Sequence, residues 1–278
     1  MPELPEVETV RRTLAPAIGA KIAAVWDSGK GLHMHRKPPR AKLRALVGAR
    51  ITGLRRHGKY LLVDFDGRDT GRALLVHLGM TGRLLLVSEA TPRAPHTHVV
   101  LWLDDGRELR FVDARRFGQI DVIERAREGD HPALAALGPD PLVHGIDGAT
   151  LLARAKGRTT TLKVFVLDQS VVAGVGNIYA SEALWRAKLR PSTRANKLTA
   201  ASAARLAQAI DDVLAHALDK GGTSLRDFVD ATGTQGENAE YLLVYGRAGE
   251  PCPRCKTTIR RTVHQGRATY YCPTCQTP

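Results

Sequence analysis

The chain has 278 residues, enough for two domains that each bury a core of their own. Lysine and arginine outnumber aspartate and glutamate by 41 to 28, and the resulting charge of +13 indicates a polyanionic partner, most simply nucleic acid. No apolar run approaches bilayer length, and glutamates stand where a secretory leader has basic and apolar residues, so a membrane-spanning chain is excluded and a cytoplasmic protein is expected.

The N-terminus carries a potential nucleophile. Removal of Met1 would leave Pro2 with a free secondary amine, and a terminal amine with a pKa of about 8 is partly unprotonated at neutral pH. Apolar spacing predicts an amphipathic helix over about residues 5–15, whose positive end favours the neutral amine. Glu3 and Glu6 bring carboxylates for acid–base chemistry to the same place. An ordinary capped helix start explains the same residues without any chemistry.

Short apolar runs of strand length fill about residues 17–125. Turn signals separate them, as after residues 60–65, 73–77 and 99–103, and this spacing predicts an antiparallel sandwich or barrel. The basic, proline-containing segment 30–40 is predicted to be a loop.

Two features of this region suggest contact with nucleic acid. Lys59 is predicted to begin a strand that could aim its ammonium into a cleft, although a solvated basic edge strand explains it equally well. The loops at residues 77–82 and 113–118 carry residue types that wedge open a base step and fill the gap left by an extruded base. These residues are Met80, Arg115 and Phe117. A core methionine and phenylalanine near turns is the alternative.

Prolines around residues 131–148 indicate a linker, after which alanine-rich helical spacing begins. The predicted helices are residues 151–155, 162–168, 178–188 and 199–220. Residues 221–250 are predicted to be loop-like. Asn177 follows a Gly-Val-Gly turn and is predicted to cap the third helix, whose N-terminus would seat a phosphate. A capped helix without a ligand is the alternative.

All four cysteines lie near the C-terminus, as Cys252-x-x-Cys255 and Cys272-x-x-Cys275. Residues 258–264 and 267–271 can pair as strands, which brings the two cysteine pairs together as a closed tetrahedral zinc site. Arg267 directly follows the predicted turn, where it can reach out of the module toward phosphate.

Six motifs occur in the order seen in bacterial formamidopyrimidine-DNA glycosylases, a family that the chain resembles over essentially its whole length. They are Pro-Glu-Leu-Pro-Glu-Val-Glu at 2–8, His-Gly-Lys-Tyr-Leu at 57–61, His-Leu-Gly-Met-Thr-Gly at 77–82, Arg-Arg-Phe-Gly at 115–118, Gly-Val-Gly-Asn-Ile-Tyr-Ala-Ser-Glu at 174–182, and the four-cysteine finger.

The resemblance implies an α+β multi-domain fold. Its expected parts are an N-terminal antiparallel β-sandwich with an N-terminal helix (1–130), a linker (131–148), a helical helix-two-turn-helix domain (149–245) with a lesion-recognition loop at about 220–240, and a β-hairpin zinc finger (246–278).

The resemblance further implies a bifunctional DNA glycosylase and abasic-site lyase of base excision repair. Such an enzyme excises oxidised purines, chiefly 8-oxoguanine and formamidopyrimidines, and cuts the strand by β,δ-elimination. Pro2 would attack the sugar C1′ to form an imine, with Glu3 as acid and base and Glu6 as support. Lys59 would serve β-elimination and Arg267 δ-elimination.

The implied cofactor is one structural Zn²⁺, and the implied partner is damaged double-stranded DNA. We expect a monomer that is associated with the nucleoid and not with a membrane. Met80, Arg115 and Phe117 match residues that fill the duplex, with Arg115 paired to the orphaned cytosine. His96, Asn177 and Lys163 also match DNA-contacting positions of the family. Arg158 is a further candidate because it is adjacent to Thr159, where the chain departs from the family pattern.

The chain departs from the family pattern in three places. Thr97 stands where the family often has aspartate, and Thr159 stands where the family has a lysine or arginine a few residues before Lys163. Residues 233–240 differ in composition from the family's loop. The third departure bears most on lesion preference.

Two rival functions differ from this prediction. An endonuclease VIII-type enzyme would excise oxidised pyrimidines with the same nucleophile, but its N-terminus usually has glycine where this chain has Leu4. A non-catalytic zinc-ribbon DNA-binding protein would leave Lys59 and the three wedge residues unexplained.

Overall fold

The computed structural model describes residues 1–32, 38, 40–66 and 71–277. The chain forms two compact units, Met1–Ala135 with Lys220–Glu237, and Ala136–Asp219 with Asn238–Pro278. Segment 220–237 thus groups with the first unit, whereas the sequence placed it in the helical domain; the four predicted domain ranges stay a prediction. Much of the predicted loop 30–40, and Gly67 in the predicted turn after residue 65, lie outside the described residues.

The first unit contains two four-stranded antiparallel sheets, in the orders β1-β6-β7-β5 and β2-β3-β4-β8. Its strands are β1 Ile22–Asp27, β2 Arg50–His57, β3 Tyr60–Asp66, β4 Arg72–His77, β5 Arg83–Ser88, β6 Thr97–Leu103, β7 Arg107–Val112 and β8 Gln119–Glu124. Its helices are α1 Leu4–Thr13, α2 Arg40–Arg44 and α3 Pro132–Ala135, with 3-10 turns at Ala15–Ala17 and Arg125–Asp130.

One apolar core joins the two sheets and helix α1. Val7, Val10 and Leu14, at the spacing that predicted the helix, are buried in it beside side chains from both sheets. Alternate residues of β3 to β8 face this core, as the period of a strand requires, whereas a bulge interrupts the alternation in β1 and in β2. The predicted N-terminal helix and antiparallel sandwich are confirmed, with α1 ending at Thr13.

The second unit begins with helices and ends with a hairpin. Its helices are α4 Pro141–His144, α5 Gly148–Ala155, α6 Leu162–Leu167, α7 Asn177–Arg186 and α8 Ala200–Asp219, with 3-10 turns at Ala195–Lys197 and Asn238–Tyr241. Helix α7 is buried along most of its length and packs on α6 and α8. No helix in the described part of the chain is long and apolar enough to cross a membrane.

The C-terminal hairpin pairs β9 Arg260–His264 with β10 Arg267–Tyr271. Gln265 and Gly266 between them have φ of 47° and 72°, and two consecutive residues with positive φ are typical of the tight turn that matches strand twist. The hairpin predicted from the cysteine spacing is confirmed.

Candidate active site

The N-terminal segment is held firmly although it begins the chain. Met1 is 49% exposed, whereas Pro2 is buried and Glu3 is 2% exposed. The backbone N–H of Glu3 donates to Glu6 Oε2 at 2.7 Å, and together they form a capping box at the start of α1. The helix therefore places Pro2 at its positive end with two carboxylates in the adjoining turn, as predicted.

Glu6 also reaches a distant part of the sequence within the same unit. Its Oε1 accepts the backbone N–H of Thr223 at 2.7 Å, and the carboxylate is 1% exposed. Gly222 has φ of +88°, and a Cβ there would lie 3.0 Å from Glu6 Oε1, so only glycine fits this approach without strain. Glu6 thus ties segment 220–237 to the residue that follows Pro2.

Lys59 lies in a two-residue turn and not at the start of a strand. His57 pairs with Tyr60 across the β2–β3 hairpin, and Gly58, at the first turn position, has φ of +56°. Lys59 is 5% exposed, so it does not lie on a solvated edge strand. Arg56, just before the turn, donates to Gly58 O at 2.9 Å and to Glu8 Oε2 at 3.1 Å.

Glu8 of α1 is the centre of a charged cluster. Arg11 and Arg12 donate to Glu8 Oε1 at 2.8 Å and 2.9 Å, in addition to the bond from Arg56. Burial raises the pKa of Glu8, but the hydrogen bonds from the arginines outweigh it and lower the pKa from 4.5 to about 2.

We expect Glu8→Gln to destabilise the protein by about 2 to 3 kcal/mol near neutral pH, after allowance for screening at the exposed Arg12. A carboxyl whose folded pKa is depressed stabilises the fold above its unfolded pKa of 4.5 and stops doing so as the pH falls toward 2. The melting temperatures of wild type and variant should therefore differ at pH 6 and converge as the pH falls from about 5 toward 2, while a constant gap would contradict this assignment.

The predicted wedge residues lie on two loops that meet. Met80 is 41% exposed, Arg115 is exposed and Phe117 is half-buried, so they are not core residues. The Arg115 guanidinium lies 4.6 Å from the centre of the Phe117 ring. Gly79 has φ of +60°, and a Cβ there would lie 2.5 Å from the backbone N of Gly118, which makes glycine necessary where the loops touch.

Asp113, which the sequence did not single out, joins these loops. Its fully buried carboxylate accepts from Thr81 Oγ1 at 2.6 Å, from the Gly118 N–H at 2.8 Å and from the Arg115 N–H at 3.3 Å. The one available signal was an aspartate directly after a strand and before two arginines, which is common in turns.

The family resemblance implies that these loops wedge open a base step, so we expect Asp113→Asn to lower excision from duplex DNA about tenfold, because a neutral amide cannot accept all these bonds and the loops separate. Excision of the same lesion from a single strand should fall less, since no base step has to be wedged open. Single-turnover assays on both substrates measure this, with Asp105→Asn in the exposed β6–β7 turn as the control. Equal losses on both substrates would contradict it.

His96 is exposed, with φ of +62°, and its carbonyl accepts the Asp113 N–H at 3.0 Å. The hydroxyl of Thr97, a residue that departs from the family pattern, donates to Ala94 O at 2.7 Å and so shapes this bend. The neighbouring His98 is buried, and its Nε2 lies 3.0 Å from Asp113 O. His96 therefore remains available to a ligand, and its DNA contact stays a prediction.

In the second unit, Asn177 is the first residue of α7 and Gly176 is the N-cap, one residue earlier than predicted. Asn177 Nδ2 donates to Ala268 O at 2.9 Å, which attaches the zinc hairpin to this helix end. Asn177 O accepts from Lys163 Nζ at 2.8 Å. The cap prediction was therefore wrong by one residue.

Lys163 and Arg158 both have partners inside the protein. Lys163 is 0% exposed, and its Nζ also donates to Ser181 Oγ at 2.7 Å. Arg158 forms an ion pair of 2.6 Å with Asp168. Lys163 thus supports the start of α7, and contact of either Lys163 or Arg158 with DNA stays a prediction.

Glu182 is a further residue that the sequence did not assign. It lies on α7, is 5% exposed, and accepts the backbone N–H groups of Leu243, Val244 and Tyr245 at 2.8–3.0 Å. Burial raises the pKa of Glu182, against these three hydrogen bonds. This carboxylate anchors the chain that leads into the cysteine module.

The four cysteines form a compact cluster, with all Sγ atoms within 4.8 Å of one another. The Sγ atoms of Cys255 and Cys272 lie 3.4 Å apart, and those of Cys252 and Cys275 lie 3.9 Å apart. Four sulfurs around a tetrahedral zinc ion, each bonded at about 2.3 Å, lie about 3.8 Å from one another. Burial and neighbouring thiols raise the pKa of Cys275 to about 12, whereas bonds from Thr257 lower that of Cys255 to about 6.

Four sulfurs this close need a cation to be thiolates together, and four cysteine ligands in this geometry are typical of a structural zinc site. Arg267 is exposed at the first residue of β10, directly after the turn, as predicted. The module therefore combines a closed metal site with an outward-facing guanidinium.

A β-sandwich that begins with a capped proline segment, a helical unit and a four-cysteine finger together define a DNA-repair glycosylase of the helix-two-turn-helix class. Three family models match in succession: the formamidopyrimidine-DNA glycosylase N-terminal domain at 1–120, its H2TH domain at 137–229 and the zinc finger found in FPG and IleRS at 249–278. The chain belongs to the formamidopyrimidine-DNA glycosylase family. It is a DNA glycosylase and abasic-site lyase that binds zinc.

Known members of this family are similar to the chain over its full length. The chain is 44% identical to a formamidopyrimidine-DNA glycosylase of Cereibacter sphaeroides, covering 99% of this chain and 100% of the relative. A structure of wild-type Lactococcus lactis Fpg with N7-benzyl-Fapy-dG DNA is similar with a TM-score of 0.90 and 34% identity, covering both chains completely. The Thermus thermophilus protein has a TM-score of 0.86 and 40% identity, covering 99% and 98%.

Proposed function

We propose that this enzyme excises oxidised purines, chiefly 8-oxoguanine and formamidopyrimidines, through an imine between the Pro2 amine and C1′ of the damaged nucleotide. The observation that carries the proposal is the buried Pro2 at the positive end of α1, with the carboxylates of Glu3 and Glu6 in the same turn. The positive helix end favours the neutral, nucleophilic amine, and the carboxylates supply an acid and a base.

A secondary amine suits the elimination that follows. Its iminium ion has no N–H to lose, so it stays an electron sink and makes the C2′ proton acidic. Loss of that proton sends an electron pair toward C3′ and expels the 3′ phosphate. Glu3 transfers protons during sugar-ring opening, Lys59 serves β-elimination and Arg267 serves δ-elimination, while Glu6 holds the segment in place.

The remaining predicted residues serve recognition. Met80, Arg115 and Phe117 fill the space left by the extruded nucleotide, with Arg115 facing the orphaned cytosine. Met80 and Arg115 are exposed and Phe117 is half-buried on two joined loops, which supports this role. His96, Asn177, Lys163 and Arg158 are proposed to contact or to position contacts with the DNA backbone.

The choice of lesion rests partly on relatives. A mutant of the Lactococcus lactis enzyme has been solved with Fapy-dG DNA, and the wild-type enzyme, at 33% identity to this chain, has been solved with DNA containing an oxidised pyrimidine. Excision of oxidised pyrimidines is therefore the second candidate function.

Single-turnover excision assays on 8-oxoguanine:cytosine and thymine glycol:adenine duplexes distinguish excision of oxidised purines from excision of oxidised pyrimidines. We expect the single-turnover rate on the first duplex to be at least about ten times that on the second, a difference of about 1.4 kcal/mol in activation free energy. A preference for the second substrate would reverse the proposed specificity and leave the lyase chemistry intact.

We also propose that the enzyme works as a monomer in the cytoplasm, held near the nucleoid by its charge of +13. Light scattering after size-exclusion chromatography tests the monomer, and a stable dimer mass would refute it. The binding of the enzyme to nonspecific duplex DNA, measured as salt is added, tests whether its positive charge holds it to DNA, and we expect this binding to disappear at high salt.

A further inference from the structure

Arg56 connects the two parts of the first unit that carry the proposed nucleophile and the proposed elimination residue. Its side chain is 2% exposed. One nitrogen donates to Glu8 on α1 and another to the carbonyl of Gly58, at 3.1 Å and 2.9 Å. The helix that receives the first bond begins two residues after Pro2, and the turn that receives the second contains Lys59.

A buried guanidinium is costly unless its charge is paired and its N–H groups have acceptors. Glu8 supplies the opposite charge and is itself fixed by Arg11 and Arg12. Arg11 also donates to Leu54 O at 3.4 Å, a second link from α1 to strand β2. The junction between helix and hairpin is therefore an ordered charged network with few ways to rearrange.

The shape of the guanidinium matters as well as its charge. Its planar fork reaches a carboxylate and a carbonyl in fixed directions, which an ammonium or an amide cannot reproduce together. Displacing either acceptor would move the turn relative to α1. Positional errors near 1 Å at a reacting centre are enough to cost about a hundredfold in rate.

We propose that Arg56 and Glu8 are a positioning pair that holds the Lys59 turn at a fixed place relative to the Pro2 end of α1, so that β-elimination follows imine formation. Neither side chain is assigned a bond to DNA. The proposal rests on the proposed roles of Pro2 and Lys59.

The test separates the two chemical steps on abasic-site DNA in single turnover. Borohydride trapping measures imine formation, and strand cutting without borohydride measures β-elimination. We expect Arg56→Gln to form the trapped complex at close to the wild-type rate while β-elimination falls about tenfold or more. Arg56→Lys should recover part of the loss, and Glu8→Gln should give a smaller loss in the same direction.

Arg55→Gln is the matched control on the same strand. It removes ion pairs of 2.7 Å with both Asp64 and Glu128, which lie on β3 and in the 3-10 turn after β8. We expect its ratio of elimination to trapping to equal that of wild type even where its melting temperature falls.

Equal losses of trapping and elimination in Arg56→Gln would assign Arg56 to folding alone and overturn the proposal, as would an unchanged elimination rate. If Arg56→Gln does not fold, the Glu8→Gln ratio decides in the same way. A failure of the proposed function looks different, because wild type itself would then give no trapped complex, or one that does not depend on the Pro2 amine.

Discussion

A chain that keeps Met1 is expected to form no borohydride-trapped complex with abasic-site DNA and to lose strand cutting by at least about a thousandfold. The nitrogen of Pro2 is then an amide, whose lone pair is delocalised and cannot attack C1′. Met1 is 49% exposed while Pro2 is buried, so retention of Met1 leaves the folded segment unchanged. The loss therefore reports chemistry and not unfolding.

The comparison needs two preparations whose N-termini are confirmed by mass spectrometry, one processed and one with Met1 retained. Pro2→Gly is the matched control, because its free primary amine still forms a trapped complex but eliminates more slowly, since its iminium can lose an N–H proton. Nonspecific DNA affinity should be equal in all three. A retained-Met1 chain that traps as well as the processed chain would remove Pro2 from the proposed chemistry.

Local patterns predicted the parts of this fold that depend on nearby residues. Apolar periodicity identified α1, the strands of the sandwich and α8 because a helix or strand shows its buried face in its own spacing. Cys-x-x-Cys spacing identified the metal site for the same reason, since each pair forms one knuckle. The turn between β9 and β10 followed from Gln265-Gly266.

What local patterns missed are residues that act across the sequence. Asp113 joins loops more than thirty residues apart through Thr81, and Glu182 fixes a segment about sixty residues away. Arg56 reaches back 48 residues to Glu8. Arg56 and Glu182 are charged residues in a strand and a helix, and Asp113 is one in a loop; in each place composition alone predicts a solvated side chain.

Two placements differed for a related reason. Lys59 follows a positive-φ glycine, so the hairpin turn includes it and the strand starts one residue later. Segment 220–237 groups with the first unit, where Glu6 binds Thr223 and the Ala231 carbonyl accepts the Leu86 N–H at 2.8 Å. Neither bond has a signature in the loop's own sequence.

Loss of one zinc ligand is the second large effect that we expect. Cys272→Ser should release the ion and unfold the hairpin, because a two-stranded hairpin alone is marginally stable and structural zinc contributes about 10 to 16 kcal/mol of apparent binding free energy. Cys272 is 0% exposed in a small cluster with Trp185, Val244 and Ile259, so its loss also opens this core. Zinc content falls to zero and proteolysis begins within residues 246–277.

Arg267→Ala separates the metal from the function that the hairpin serves. We expect this variant to keep one zinc ion and its protease resistance but to bind DNA more weakly or to stop after the first strand cut, because its guanidinium is exposed beside the turn. A colorimetric zinc assay, limited proteolysis and gel analysis of the cut ends measure the three properties. A Cys272→Ser chain that retains zinc would refute the four-thiolate site, and loss of zinc in Arg267→Ala would make Arg267 a structural residue of the finger.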